Sequence, residues 1–261
     1  MSQSTMPAYI AERIRRPRPE GCGVVVGSTP VVAFGDFRRA RVATLGLNPS
    51  KSEFLNTYGQ ELIGADRRLA TLASLGVDLL DHASDTVVAE VVADCIGYFQ
   101  RNPYRRWFDQ LQRILDPLGV SYYNGSAAHL DLVQWATDPV WRHLSPPTRA
   151  RLLRDDAAFL RQQLENEQIA VLLLNGRSVI AHLQHAFGIP LAVSHRITSG
   201  RLTTDLVAGV IGRCAIVGWS TNLQSSFGVT GDLRDQLAIT VAALVKTAHE
   251  EVVQTVSGLD G

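Results

Sequence analysis

The sequence predicts an α/β protein in which helices cover both faces of a central, mostly parallel sheet, giving three layers. Short apolar segments typical of buried strands alternate along the chain with longer segments of helical periodicity. With 261 residues, 46% of them hydrophobic and 19% charged, the chain can also form one large core. In sheets of this kind, ligands bind beyond the carboxyl ends of the strands, so the loops after the strands matter most.

The elements follow from two kinds of periodicity. Strands are predicted where short apolar runs end at turn residues: 24–35 (two strands around a turn), 41–46, 122–135, 169–174 and 213–218. Helices are predicted where apolar residues recur at steps of three and four: 61–80, 85–118, 146–167, 178–187 and 232–249. Strands that alternate with helices favour the parallel arrangement.

One domain is expected from residue 21 to residue 250, because the chain has no internal repeat and no low-complexity linker. Residues 1–20 and 251–261 are expected to be tails. The first 21 residues lack the apolar core of a secretory signal, and no apolar run approaches the roughly 20 residues of a membrane span. A cytoplasmic monomer without a membrane partner is therefore the expectation.

Cysteine and histidine usage argues against the common metal centres. Cys22, Cys95 and Cys214 lie far apart and provide neither a disulfide framework nor the four ligands of an iron–sulfur cluster. The seven histidines show no HExxH or paired spacing. We expect neither a metal nor a cofactor. The chain also lacks GxxxxGK[ST] and GxSxG, which argues against a P-loop NTPase and a nucleophile-elbow hydrolase.

Charge is balanced overall but uneven locally. The 25 basic and 25 acidic residues give a net charge of zero, so the chain as a whole has no attraction to nucleic acid. Arginines cluster at 13–18 and at 101–107. A neutral protein can bind DNA through such a local basic face, although arginine clusters are also typical of solvated loops and helix ends.

Two polar loops follow predicted strands. The first is Gly46-Leu47-Asn48-Pro49-Ser50, in which the proline fixes a turn that presents Asn48. The second is Trp219-Ser220-Thr221-Asn222-Leu223-Gln224-Ser225-Ser226, with one leucine expected to be exposed among polar residues. Together with the order of segments over roughly residues 40–248, they resemble the water-activating and leucine loops of the uracil-DNA glycosylase superfamily. The first loop has the Gly-x-Asn-Pro form of its mismatch-specific branch.

The resemblance implies a uracil-DNA glycosylase-like fold and a monofunctional DNA glycosylase, which flips a base out of DNA and hydrolyses its N-glycosidic bond. Asn48 would orient the attacking water, although its amide cannot act as a base. Leu223 would wedge into the vacated base stack, or alternatively serve as a core residue. The polar residues of the second loop would contact DNA: Ser220, Thr221, Asn222, Gln224, Ser225 and Ser226.

Three departures from the superfamily pattern concern the choice of base. Asp131 stands where uracil readers have an asparagine, and a carboxylate can accept from the N4 amino group of cytosine but cannot pair with O4 of uracil. Ser50 replaces a tyrosine that blocks C5 substituents, and Trp219 replaces a histidine. We expect a C5-modified cytosine of phage DNA, hydroxymethylated or glucosylated, and hence antiviral defence. A structural contact of Asp131 with Arg142 or His129 is the alternative.

The remaining pocket residues are assigned by position. Gly46, Leu47 and Pro49 flank Asn48, and either Phe54 or Tyr58 would stack on the base, with Phe54 preferred and a core role for it equally consistent. Two other functions stay open at this stage. One is a uracil or thymine mismatch repair glycosylase. The other is a catalytically silent DNA-binding or modified-base-sensing module, which fits the asparagine and the tryptophan at the expected catalytic positions.

Overall fold

The computed structural model describes residues 6–224 and 227–257, without the side chains of 249 and 251–257. Contacts divide the chain into two compact units. The first unit contains residues 6–35, 47–103 and 131–163, and the second contains residues 36–46, 104–130, 164–224 and 227–257. The sequence predicted one domain, because nothing in its composition changes at these boundaries.

A six-stranded sheet belongs to the second unit, apart from Asp131 at the end of one strand. Its strands are β1 (Val42–Gly46), β2 (Ala127–Asp131), β3 (Val171–Asn175), β4 (Ala192–Ser199), β5 (Leu202–Ile211) and β6 (Cys214–Trp219). Their order is β2-β1-β3-β6-β5-β4. Strand β3 runs parallel to β1 and β6, while β5 is antiparallel to β6 and β4.

The predicted strands near 41–46, 122–135, 169–174 and 213–218 are confirmed as β1, β2, β3 and β6. Strand β3 shows why the prediction succeeds. Leu172, Leu173 and Leu174 are fully buried, because neighbouring strands and helices surround the strand and leave no face for polar residues. The hairpin of β4 and β5 was not predicted. Strand β4 is an edge strand whose side chains are mostly exposed, so it lacks an apolar signal.

Seven helices occur among the described residues: α1 (Ala8–Arg15), α2 (Leu72–Leu75), α3 (Asp85–Ile96), α4 (Arg105–Leu115), α5 (Pro146–Asn166), α6 (Arg177–Phe187) and α7 (Gly231–Ser257). Helix α6 packs on β3 and β6, and α7 packs on β4, β5, β6 and α4. The three-layer α/β/α class with a mostly parallel sheet is thereby confirmed. No described helix has the length and apolarity that crossing a membrane requires.

Several sequence predictions in the first unit are wrong. Residues 24–35 form isolated bridges rather than two strands, and 61–80 contains only a 3-10 turn and the four-residue α2. The predicted helix 85–118 is two helices, because Gly97 ends α3 and a 3-10 turn follows. In these segments, apolar residues on irregular backbone are buried in the core. Their spacing in the sequence happens to match that of a strand or a helix.

Both predicted tails are also partly helical. Helix α1 lies within the predicted N-terminal tail and buries Ile10, Arg13 and Ile14, which share one helix face. At the other end, the backbone of α7 continues to Ser257, beyond the predicted boundary at residue 250. The arginine-rich composition at the N-terminus suggested solvation, whereas one of those arginines pairs with a buried carboxylate.

Candidate functional site

The segment after β1, Leu47–Phe54, is referred to here as the first loop, and it lies in the first unit. It runs beside the residues that follow β2. Three contacts join the two segments: Val133 N to Leu47 O at 2.9 Å, a parallel bridge between Ser50 and Thr137, and an ion pair between Lys51 Nζ and Asp138 Oδ1 at 3.0 Å. Polar residues that follow neighbouring strands are therefore held together, as a ligand site at the carboxyl edge of a sheet requires.

The amide of Asn48 is fixed in one orientation. Its Nδ2 donates towards Pro49 O at 3.1 Å, Trp135 O at 3.1 Å and Thr137 Oγ1 at 3.2 Å. No described residue donates to its Oδ1, and the side chain is half-buried. The oxygen can accept a hydrogen bond from water, but an amide cannot take the proton. Asn48 is thus positioned to orient a water molecule and unable to deprotonate it.

Asp131 is the last residue of β2 and is 4% exposed. Its backbone carbonyl accepts a hydrogen bond from Gln134 Nε2 at 2.7 Å, which fixes the chain where it leaves the strand. The suggested structural partners have contacts of their own: His129 Nδ1 lies 2.7 Å from Thr44 Oγ1 in the second unit, and Arg142 Nε donates to the neighbouring histidine. Asp131 is therefore a buried carboxyl at the end of a strand, and its role as an acceptor for a base stays a prediction.

Glu53 is a buried acid that sequence analysis missed. It ends a 3-10 helix, Lys51–Glu53, and is 2% exposed. Its Oε2 accepts a hydrogen bond from Tyr98 OH at 2.7 Å and lies 3.8 Å from Arg68 Nη1. The pKa of Glu53 is raised to about 7, chiefly by burial and in smaller part by the charge of Asp131, while the hydrogen bond from Tyr98 and the charge of Arg68 act to lower it. Nothing in the local sequence separates this glutamate from an exposed one.

The other predicted pocket residues of the first unit have different environments. Ser50 caps the 3-10 helix, because its hydroxyl accepts from Ser52 N at 3.2 Å. Phe54, the preferred base-stacking residue, is 2% exposed, which corrects that assignment in favour of the core alternative. Tyr58 is 86% exposed and its ring is the more accessible of the two.

The second loop, Trp219–Gln224, follows β6 in the second unit and is organised by Asn175. Asn175 Oδ1 accepts from Trp219 Nε1 at 2.9 Å and from Leu223 N at 3.1 Å, while its Nδ2 donates to Gln224 Oε1. Trp219 is fully buried. Leu223 is only 3% exposed, so the prediction of an exposed leucine is wrong. Its amide is anchored on Asn175, which draws the residue inward.

The hydroxyl groups of the second loop are also engaged within the second unit. Ser220 Oγ accepts from Asp205 N at 3.0 Å, and Thr221 Oγ1 lies 2.6 Å from Thr204 Oγ1. Asn222 accepts from the amide of Gln224 at 3.0 Å. Ser225 and Ser226 lie outside the described residues. Their predicted contacts with phosphates stay predictions. Just beyond them, Phe227 is 101% exposed, which makes it the most accessible apolar side chain near this loop.

Each of the two arginine clusters has at least one member that forms an ion pair within the protein. Arg13 is 1% exposed and donates to Gln134 Oε1 and Asp156 Oδ2, both at 2.9 Å. Burial lowers the pKa of Arg13 to about 10, which still leaves it charged at neutral pH. In the second cluster, Arg101 donates to Asp94 at 2.6 Å. Arg13 and Arg101 therefore stabilise the fold, whereas Arg18, Arg105 and Arg106 are exposed, and the predicted basic face stays a prediction.

A cleft of about 550 Å³ in the first unit is lined by both charges in equal number. Its charged residues are Arg16, Arg18, Arg151, Glu20, Asp155 and Asp156. Arg16 Nη1 donates to the backbone carbonyl of Asp155 at 2.5 Å and lies 3.4 Å from Asp156 Oδ1. Ion pairs of Arg16 with Asp156 and of Arg151 with Asp155 offset part of the positive charge in this cleft.

No cluster of three or more histidine, cysteine, aspartate or glutamate residues that could hold a metal ion occurs in the described part of the chain. No family model matches the chain, and no curated protein matches it. The resemblance to the uracil-DNA glycosylase superfamily therefore stays a prediction from the two loops and the order of segments in the sequence.

Proposed function

We propose that the protein is a DNA glycosylase that hydrolyses the N-glycosidic bond of a flipped nucleotide and leaves an abasic site. The observation that carries the proposal is the fixed amide of Asn48, whose Oδ1 has no donor among the described residues. It belongs to the same unit as the buried carboxyl of Asp131. An oriented acceptor for water and an acceptor for a base are the two groups that hydrolysis of a nucleoside requires.

The chemistry follows from what each group can do. Water held by Asn48 Oδ1 attacks C1′ of the deoxyribose, the C1′–N1 bond breaks, and its electron pair leaves with the base. Because an amide is not basic, the proton of the water passes to solvent, and the rate depends on how well the leaving base is stabilised. The site therefore favours a base that can be neutralised as it departs.

The base is proposed to be a C5-modified cytosine. The carboxylate of Asp131 can accept from the N4 amino group, which uracil and thymine lack. Ser50 is small and leaves space for a substituent at C5. Hydroxymethylated or glucosylated cytosine occurs in phage DNA, so removal of such a base would serve antiviral defence.

The test is a panel of duplex oligonucleotides that carry one uracil, thymine mismatch, cytosine, 5-hydroxymethylcytosine or glucosylated 5-hydroxymethylcytosine. Alkali cleavage reveals abasic sites. We expect cleavage at the modified cytosines, and a single-turnover rate about 100-fold lower in Asn48→Ala, the scale expected when an oriented catalytic dipole is lost. Asn56→Ala, at an exposed turn of the same unit, is the matched control and should retain the rate.

The same panel separates the second candidate function. A non-basic asparagine and a buried tryptophan at the expected catalytic positions also fit a module that senses modified bases without excising them. Tight binding to modified duplex with no abasic sites would favour that sensor. Cleavage at uracil or thymine mismatches alone would instead favour mismatch repair, and it would contradict the assignment of Asp131.

A further inference from the structure

A short segment after β2 lies between the first loop and a buried ion pair of the first unit. On the side of the loop, Val133 N donates to Leu47 O at 2.9 Å. Two residues later, Trp135 O accepts from Asn48 Nδ2 at 3.1 Å. Gln134, the residue between them, is 1% exposed and bonds to other parts of the unit. The segment therefore connects the first loop with the interior of the unit, and Gln134 is its middle residue.

The ion pair joins Arg13 of α1 to Asp156 of α5. Arg13 Nη2 and Asp156 Oδ2 are 2.9 Å apart, and the two residues are 1% and 2% exposed. Arg13 Nε donates to Gln134 Oε1 at 2.9 Å, and Gln134 N donates to Asp156 Oδ2 at 3.1 Å. The guanidinium of Arg13 also lies over the ring of Trp135, with Cζ 5.1 Å from the centroid. Both charges of the buried pair thus hold this segment, and removing either would leave the other charge uncompensated.

The other polar groups of Gln134 are bonded as well. Its Nε2 donates to Asp131 O at 2.7 Å, and its backbone oxygen accepts from Val31 N at 2.7 Å. Both ends of the side-chain amide and both backbone groups of Gln134 therefore have partners. Because a shift of this residue would break several buried hydrogen bonds at once, the backbone that follows it, including Trp135 O, is held in one place.

We propose that Gln134 is a positioning residue that fixes the carbonyl of Trp135 and, through it, the amide of Asn48. The Arg13–Asp156 ion pair secures Gln134 in this role. The inference rests on the proposed function and adds a residue that acts through Asn48. The direction of Asn48 Oδ1 depends on where Nδ2 is held, so a shift of Trp135 O turns the acceptor away from the water. Hydrolysis depends steeply on such alignment.

The positioning can be measured on the full chain without any substrate, from the side-chain amide protons of Asn48. Gln134→Leu keeps a side chain of similar size and removes both of its hydrogen bonds. ¹H–¹⁵N NMR should show shifted Asn48 Nδ2 signals and about tenfold faster exchange of their protons with water, because local opening becomes easier. Gln163→Leu is the control: Gln163 is also fully buried in this unit, its Nε2 donates to Val32 O at 2.8 Å, and its loss should leave the Asn48 signals unchanged. Unchanged Asn48 signals and exchange in Gln134→Leu would overturn the proposal.

A second variant covers the case in which Gln134→Leu does not fold. Arg13→Lys keeps a positive charge opposite Asp156, but its single ammonium cannot reproduce the separate Nε and Nη2 donors of the guanidinium. The bond to Gln134 Oε1 is then weakened, and the same changes in the Asn48 signals are expected at smaller size. Their absence in Arg13→Lys would likewise overturn the proposal.

The link to catalysis is tested by a double-mutant cycle on single-turnover excision from a duplex with one 5-hydroxymethylcytosine. Gln134→Leu alone should lower the rate about tenfold and leave the Kd for the duplex unchanged, because alignment of the water is lost and binding is not. In the Asn48→Ala background, the same substitution should lower the rate no further, since the group that it positions is gone. A loss of equal size in both backgrounds would indicate a purely structural role and overturn the proposal. Absence of abasic sites with the parent protein contradicts the proposed function, whereas the NMR result still decides the positioning of Asn48.

Discussion

Asn48 and Asn175 are two asparagines that come at or just after the carboxyl ends of parallel strands, and their side chains are used differently. Asn175 is 4% exposed, and both ends of its amide are bonded within the second unit, to Trp219, Leu223 and Gln224. Asn48 is held through its nitrogen alone. Asn175 therefore has a structural role, whereas the side-chain oxygen of Asn48 remains available as an acceptor.

The difference extends to the two loops around them. The second loop satisfies its polar groups internally, through Ser220 and Thr221 as well as Asn175. The first loop contains Glu53, whose burial keeps a titratable proton near neutral pH. Polar groups whose hydrogen bonds are all satisfied stabilise a fold. An acceptor without a donor and a carboxyl group that titrates near neutral pH are more typical of a functional site. This contrast can be tested with substitutions in each loop, by measuring how they change the unfolding free energy and its dependence on pH.

The largest expected effect concerns Glu53 and the pH dependence of stability. Because folding raises its pKa from 4.5 to about 7, its contribution to stability is full below pH 4.5 and is lost as pH rises through 7. The loss amounts to roughly 3 kcal/mol. Urea unfolding of Glu53→Gln should therefore show a smaller drop in unfolding free energy between pH 5 and pH 8 than the parent protein. Equal drops in the two proteins would contradict a raised pKa.

The next effect compares the two asparagines directly. Asn175→Ala removes the partner of Trp219 Nε1 and Leu223 N, both buried, and should lower the unfolding free energy by about 2–3 kcal/mol. Asn48→Ala removes only donated bonds at a half-buried position and should cost about 1 kcal/mol. Chemical unfolding of both variants measures the difference. If Asn48→Ala is the more destabilising, its side chain is structural and the comparison fails.

The smallest effect concerns the contact of the second loop with DNA. Leu223 is buried, so under the proposed function we expect the exposed Phe227 to act as the wedge instead. Phe227→Ala should lower excision from duplex about tenfold and leave excision from single strands unchanged, since only a duplex must be unstacked. Leu223→Ala is the control, because it should destabilise the fold without a selective loss on duplex. An equal loss on both substrates would exclude a wedge at Phe227.

The sheet could be predicted because its strands carry an unambiguous signal. The short apolar run at β3 is typical of a strand buried on both faces, and β6 resembles it. The hairpin of β4 and β5 could not be found in the same way, because the exposed β4 is polar along most of its length. Helix α1 was missed because its buried arginine looks like a solvated one until its partner, distant in sequence, is known.

The candidate site was predictable where backbone position decides the role. Asn48 follows β1 in an Asn-Pro turn and Asp131 ends β2, so their places at strand ends could be deduced from the sequence. Burial could not. Leu223 and Phe54 were interpreted as ligand-facing and are buried, and Glu53 was overlooked although it is buried beside Tyr98. Each of these depends on contacts between residues that are far apart in the chain or on backbone bonds that leave no trace in composition.

The ion pair of Arg13 also constrains the order of events during synthesis. Its partner Asp156 is made 143 residues later, which at ribosomal speeds takes on the order of ten seconds. Until then the helix that carries Ile10 and Ile14 has no buried carboxylate to pair with and cannot complete its packing. Helix α1 therefore leaves the ribosome well before the carboxylate that secures its arginine, and its apolar face lacks this support during that interval.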